Sequence, residues 1–311
     1  MTHTIVSLLP RFLPDDHYDG FRSLGDLYFW NELPDDEKAR IAPTVDILFV
    51  TPQVPVNQST LDTFPNVKMV ADYGVGYDQA DLTLLREKGI IFTNTPTATS
   101  GDVADFAMTL LLTASRGIPE AGHRLMRSKT IKCGMPFTRR IWGKKIGIAG
   151  LGHIGREIAR RAEGFGMQVG YTNLSSVDCA YRRFDNITEL ARWCDYLVLA
   201  MPGGQATYHI VNEDVLEALG PEGFLINIGR GTLVDSTALV HALKTKTIAC
   251  AALDVFESEP ELDPAFIDCP NLIVTPHIAS STIEARRDSA IQVLENIKAF
   301  IEGENPPCRV I

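Results

Sequence analysis

Three short stretches in the last third of the chain carry residue types able to hold an anion or move a proton. The first, I-N-I-G-R-G at 226–231, sets Arg230 between two glycines. With so little side-chain crowding, its guanidinium can grip a carboxylate through two parallel hydrogen bonds. The second, L-D-V-F-E-S-E-P at 253–260, offers Asp254, Glu257 and Glu259. The third, V-T-P-H-I-A-S at 274–280, offers His277. Singly, each has a plainer reading: a loop arginine paired with a surface acid, solvated loop charges, a structural histidine. All three nevertheless stand at or just beyond the carboxyl end of an expected strand, where ligands sit in open α/β sheets.

A fourth stretch, K-I-G-I-A-G-L-G-H-I-G at 145–155, joins a strand to a helix with a G-x-G-x-x-G fingerprint. Gly150 permits the tight turn, Gly152 lets backbone approach a pyrophosphate, and Gly155 lets the helix pack close to the sheet. The N–H groups of the helix start then face the anion. A tight turn without a ligand is the plainer reading, but strand, helix and next strand all arrive on schedule. That next strand, 168–172, runs into Asn173, Leu174, Ser175 and Ser176, with no carboxylate before Asp178. An acid there would bond a ribose 2′-OH and repel a 2′-phosphate, whereas Thr172, Asn173, Ser175 and Ser176 can donate to one. Arg182 or Arg183 folding back would add charge. NADP(H) is therefore favoured, and NAD(H) stays the alternative.

The elements that must position these residues are strands alternating with helices. Apolar runs at 5–9, 27–30, 45–50, 67–72 and 90–93 form one series of strands. Those at 146–149, 168–172, 196–200, 224–228, 248–253 and 272–275 form a second. Helical patterns lie between them, at 59–64, 82–88, 154–165 and 235–244 among others. This alternation predicts two α/β units with parallel sheets. A strongly apolar helix at 100–115 exceeds what one surface helix needs and is expected to pack between domains or against a second subunit. A long helix at 281–301 follows the last strand.

The 311 residues, 45% hydrophobic and 22% charged, suit about two globular domains. A net charge of −10 disfavours nucleic acid or an anionic membrane as the main partner, though not a small anion met by one buried arginine. No apolar run approaches the ~18 residues of a membrane span, and the first ten residues read as a strand, not a signal peptide. Cys133, Cys179, Cys194, Cys250, Cys269 and Cys308 are scattered without paired spacing. Reduced thiols in a cytoplasmic protein are expected, with no metal site.

Taken in order, these stretches resemble the D-isomer-specific 2-hydroxyacid dehydrogenases. Matching motifs are Y-G-V-G-Y-D at 73–78, T-N-T-P at 93–96, G-L-G-H-I-G at 150–155, N-I-G-R-G at 227–231, L-D-V-F-E-S-E-P at 253–260 and T-P-H-I-A-S at 275–280. Within the family the chain looks like the NADPH-preferring glyoxylate/hydroxypyruvate and 2-keto acid reductases. The resemblance implies a Rossmann dinucleotide-binding domain at 98–280, inserted in a flavodoxin-like substrate domain built from 1–97 and 281–311. It implies hydride transfer with His277 as general acid or base, Glu259 holding the imidazole, and Arg230 binding the substrate carboxylate. Backbone amides of Val75 and Gly76 would complete carboxylate binding. His153 and Ile154 would lie at the pyrophosphate, Asp254 near the nicotinamide carboxamide, and Val103, Thr207, Ile228 and Gly229 along the cofactor.

Two departures are Asp105 where a glutamate is commoner, and Gly-Gly-Gln-Ala-Thr after Pro202. A small 2-keto or 2-hydroxy acid and a homodimer are the expected partners, with 116–141 a candidate arm. The alternatives are an NAD-dependent D-2-hydroxyacid dehydrogenase of another substrate class, or a nicotinamide-sensing binding protein of the same fold. Formate oxidation, which needs no acid or base at the reacting oxygen, fits Glu259 and His277 poorly.

Overall fold

Six of the described strands are predominantly apolar and bury every residue, the signature of parallel sheets covered on both faces. The computed structural model describes residues 3–132 and 134–311. The chain divides into two units, Met1–Thr99 with Ser281–Ile311, and Ser100–Ser280.

The first unit carries strands β1 (Thr4–Ser7), β2 (Asp26–Phe29), β3 (Ile47–Val50), β4 (Met69–Asp72) and β5 (Ile91–Thr93). They form one parallel sheet in the order β2-β1-β3-β4-β5, the doubly wound order of flavodoxin-like folds. Alternation along each strand feeds two cores. Ile5, Ile47, Phe49 and Met69 pack with Val293 and Ile297 of the terminal helix Ile283–Ile301. Val6, Leu48, Val50 and Val70 face Leu85 and Phe92 on the other side. The terminal helix begins at a Thr282 cap, whose hydroxyl accepts from the Ala285 N–H at 2.9 Å.

The second unit carries β6 (Lys145–Ala149), β7 (Gln168–Thr172), β8 (Arg182–Arg183), β9 (Tyr196–Leu199), β10 (Phe224–Asn227), β11 (Cys250–Leu253) and β12 (Leu272–Val274). Their order is β12-β11-β10-β9-β6-β7-β8, all parallel, so β6 lies where the winding reverses. Register aligns the strand ends: Ala149 pairs with Thr172 and Leu199, Leu199 with Asn227, Asn227 with Leu253, and Leu253 with Val274. The residues just after β6, β9, β10, β11 and β12 therefore emerge on one shelf.

Most strands are one or two residues shorter than the apolar runs suggest, because run ends close into turns; β2 and β7 match their runs in length, and β6 begins one residue earlier. The helix Ser100–Arg116 packs on its own unit along one stripe. Val103, Ala107, Met108 and Leu111 join Ile146, Ile158 and Ala159 in one core, against helix His153–Gly164 and the sheet. An apolar helix laid between a sheet and a second helix buries that stripe there. An amphipathic helix, Ile118–Ser128, stands inside the candidate arm, and none of its residues is buried.

Cys133 lies outside the described residues. The other five cysteines are free thiols, and burial pushes Cys194 and Cys250 up to about 12.

Candidate active site

The turn after β6 is built by glycine. Gly150 has φ +99°, and a Cβ there would lie 2.7 Å from the Ala200 carbonyl oxygen in the loop after β9. A Cβ on Gly155 would lie 2.0 Å from the Gly150 oxygen, so the helix can approach the sheet only with glycine at this position. Gly152 has nothing within 4 Å of its Cβ position among the described residues, and no side chain caps the helix that starts at His153. An open cradle under uncapped amides fits a pyrophosphate in charge and in shape.

At the end of β7, Thr172 is buried, while Ser175 and Ser176 are exposed. Asn173 ties this end to the glycine loop: its Oδ1 accepts from the Leu151 N–H at 3.3 Å and its Nδ2 donates to the Ser175 carbonyl at 3.2 Å. The two arginines folded back by β8 differ. Adjacent strand residues face opposite sides, and Arg182 stacks over Phe184 at 4.7 Å. Arg183 donates to the Asn173 carbonyl at 3.4 Å, so Arg183 is the one beside the β7 end.

Arg230 is positioned by Asn227, a fully buried residue whose role sequence reading missed. Asn227 donates from Nδ2 to the Arg230 carbonyl at 2.9 Å and accepts the Gly229 N–H at 3.1 Å. An asparagine closing a strand before a glycine-rich turn is the available signal, since its side chain mimics turn backbone. Ile228 and Gly229 are buried at the strand end. Thr207, in the turn Gln205–Thr207 after β9, donates to the Pro202 carbonyl at 3.0 Å. Val103 is buried in its helix, 6% exposed.

Asp254, just after β11, is fully buried. One oxygen accepts from the Thr275 hydroxyl at 2.6 Å and the Ile278 N–H at 3.0 Å, the other from the Ala279 N–H at 2.8 Å. Its carbonyl takes the His277 N–H at 2.9 Å. The residue expected at a carboxamide thus also fastens the loop that presents His277. That loop holds His277 at φ +53°, a left-handed conformation uncommon for a residue with a Cβ.

His277 Nδ1 meets Glu259 Oε2 at 2.9 Å, and the other Glu259 oxygen accepts the Phe256 N–H at 2.8 Å. Nε2 has no hydrogen-bond partner among the described residues. The Glu259 contact holds the imidazole pKa above its ordinary 6.5, against burial and the Arg230 charge, which lower it. Burial pushes Glu259 up, but hydrogen bonds from His277 and the Phe256 amide outweigh it, and its carboxyl stays below the usual range. A cation within reach of both groups, a tethered imidazole with one open nitrogen and a phosphate cradle thus share one shelf. That set can hold an anion and exchange a proton beside a dinucleotide.

Val75 and Gly76 belong to the first unit, in the turn after β4. Their loop is held by Asn94 Nδ2 donating to the Val75 carbonyl at 2.9 Å and by the Thr95 N–H donating to the Gly74 carbonyl at 2.8 Å.

Residues 108–279 match the family profile of the D-isomer specific 2-hydroxyacid dehydrogenase, NAD binding domain. A 2-ketogluconate reductase from Gluconobacter oxydans is 39% identical over 246 residues, 79% of each chain. A glyoxylate reductase from Thermococcus gammatolerans is 36% identical and covers 97% of this chain and 94% of its own. Among solved structures, an NADPH-dependent glyoxylate/hydroxypyruvate reductase from Sinorhizobium meliloti, in complex with NADP and malonate, superposes with a TM-score of 0.89. It is 32% identical, covering 100% of this chain and 97% of that one. The chain belongs to the D-isomer-specific 2-hydroxyacid dehydrogenase family and is a nicotinamide-dependent oxidoreductase acting on the CH–OH group of 2-hydroxy acids.

Proposed function

We propose that the chain works mainly as an NADPH-dependent 2-keto acid reductase of the glyoxylate/hydroxypyruvate or 2-ketogluconate class, with His277 as general acid. The carrying observation is the Glu259–His277 pair, which leaves Nε2 open and raises the imidazole pKa next to Arg230. Arg230 grips the substrate carboxylate and polarises the carbonyl. His277, protonated on Nε2, gives its proton to the carbonyl oxygen as negative charge develops there. Glu259 keeps Nδ1 protonated and stabilises the imidazolium. A bound nicotinamide supplies the hydride to C2, and hydride plus proton account for the hydroxy acid formed.

For the cofactor, Gly150, Gly152 and Gly155 shape the pyrophosphate cradle, and the amides of His153 and Ile154 face it. Val103, Thr207, Ile228 and Gly229 are assigned along the cofactor. The preference for NADPH is supported by Asn173, Ser175 and Arg183 at the end of β7, where no carboxylate stands. The S. meliloti reductase, described as NADPH-dependent and complexed with NADP, favours the same choice. Glyoxylate, hydroxypyruvate, 2-ketogluconate and pyruvate, each with NADPH and NADH, form the test. Arg183→Ala should weaken NADPH use roughly tenfold, the scale of one charge-assisted hydrogen bond, and leave NADH unchanged. No oxidation of either cofactor with any keto acid would sink the reading.

A homodimer is also inferred. Ile118, Met126, Ile131 and Phe137 are all more than half exposed along the segment expected to be an arm, as is Trp142 just beyond it. Light scattering reading one chain mass in solution would contradict it. No helix among the described residues is long and apolar enough to cross a membrane.

A further inference from the structure

Glu257 stands two residues before Glu259 and takes no part in the pair with His277. Its Oε1 accepts from the Tyr208 hydroxyl at 3.1 Å and from His209 Nε2 at 2.7 Å, and its Oε2 accepts from the Ser236 hydroxyl at 3.1 Å. Tyr208 and His209 come from the loop after β9, Ser236 opens the helix that follows Arg230, and Glu257 itself follows β11. One carboxylate therefore joins three loops of three neighbouring strands.

The backbones between these loops are equally tight. A Cβ on Gly231 would lie 1.9 Å from the Phe256 carbonyl carbon and 2.3 Å from the Glu257 nitrogen, so the Arg230 loop lies directly on the Glu257 peptide. The His209 N–H donates to the Thr232 carbonyl and the Val211 N–H to the Leu233 carbonyl, both at 2.9 Å. His209 is held at φ +50°, its ring stacked on Tyr208 and its Nδ1 3.7 Å from Asp235 Oδ2. Burial pushes Glu257 up, but hydrogen bonds from His209 and Ser236 outweigh it and keep the carboxylate charged.

We propose that Glu257 is a positioning residue, a brace that holds the Arg230 loop in fixed register with the loop bearing Glu259. The inference rests on the roles given to Arg230 and His277 under the proposed function. Arg230 is one residue before Gly231, and Glu259 is two residues after Glu257. Without the brace the two loops lose their mutual register, although neither working side chain is changed.

The test uses the full-length enzyme, with Glu257→Ala and Glu257→Gln assayed in NADPH-dependent glyoxylate reduction from neutral to alkaline pH. Gln keeps an acceptor for His209 and an amide that the Ser236 hydroxyl can accept from, so it should stay near wild type. Ala should lower kcat/KM for the keto acid about 10–10²-fold, the scale of an ångström of misplacement. It should also move the alkaline fall in kcat/KM to lower pH, because a displaced Glu259 no longer supports the imidazolium. The charged groups acting on His277 are Glu259, Asp254 and Arg230, all untouched by the substitution.

A Glu257→Ala enzyme that unfolds cooperatively yet keeps wild-type kcat/KM and pH profile overturns the proposal. So does one whose only change is a lower Tm or a loss of activity with the alkaline limb unmoved. If Glu257→Ala does not fold, Ser236→Ala, which removes one of the three hydrogen bonds, must show the same changes to a smaller degree. His277→Ala measured alongside separates the failures. Activity retained there defeats the underlying reading, whereas activity lost there with Glu257→Ala unmoved defeats the brace alone.

Discussion

Two histidine–glutamate pairs sit at the carboxyl edge of the larger sheet, and they differ in what their nitrogens face. Both histidines have left-handed backbones, and both contact a glutamate of the same short loop, at 2.9 Å for His277–Glu259 and 2.7 Å for His209–Glu257. His209 faces carboxylates with both nitrogens, and its glutamate also receives Tyr208 and Ser236. His277 gives only Nδ1 to its partner and is the more exposed of the two, at 42% against 27%. A pair committed on every side can only hold structure together. A pair with one open nitrogen, next to an arginine, can exchange a proton with a bound acid.

The largest expected effect separates the two histidines. His277→Ala should lower turnover by about 10²–10⁴, the usual contribution of a general acid, while His209→Ala, which removes one hydrogen bond of the Glu257 brace, should lower kcat/KM by less than Glu257→Ala and also reduce Tm. Equal losses in the two variants would break the distinction between them. Arg230→Gln removes the charged grip while keeping a polar side chain. A charge-assisted contact is worth about 1.5–3 kcal/mol, so kcat/KM for the keto acid should fall about 10- to 150-fold, mostly through KM. A loss carried by kcat alone would take Arg230 out of ground-state substrate binding.

Much of this organisation is legible in the residues. Strands covered on both faces are continuous apolar runs, so Ile47–Val50 and Phe224–Asn227 stand out, and β6 with its glycines announces the phosphate cradle. β8 does not stand out, because Arg182 and Arg183 are exposed and basic and become a strand only by pairing with Gly170 and Tyr171. For the same reason the sequence leaves open which of the two turns toward the β7 end. The helix Ile118–Ser128 leaves traces in the residue types, Gly117 at its start, where the chain takes a positive φ, and Pro119 in its first turn. The apolar stripe of Ser100–Arg116 shows that a face must be covered but not by what.

At the site, Arg230, Glu259 and His277 are recognisable as motif members. The division of labour between Glu257 and Glu259 is not visible in a spacing of two. It depends on which loop from another strand each acid meets, and that is decided by sheet register. Asn227 and Asp254 act on residues two to 25 positions further along, through backbone groups that no side-chain pattern displays.

In the proposed mechanism, Glu259 raises the pKa of a proton-donating His277. Reduction would then need the imidazolium, so the raised pKa would keep activity above pH 6.5, with activity lost as pH rises through the shifted value. The direct measurement is kcat/KM for glyoxylate against pH, with saturating NADPH, in the wild type and in Glu259→Gln. The wild-type alkaline limb should be centred above 6.5 and move to lower pH in the variant. An alkaline limb in the same place in both enzymes would contradict it.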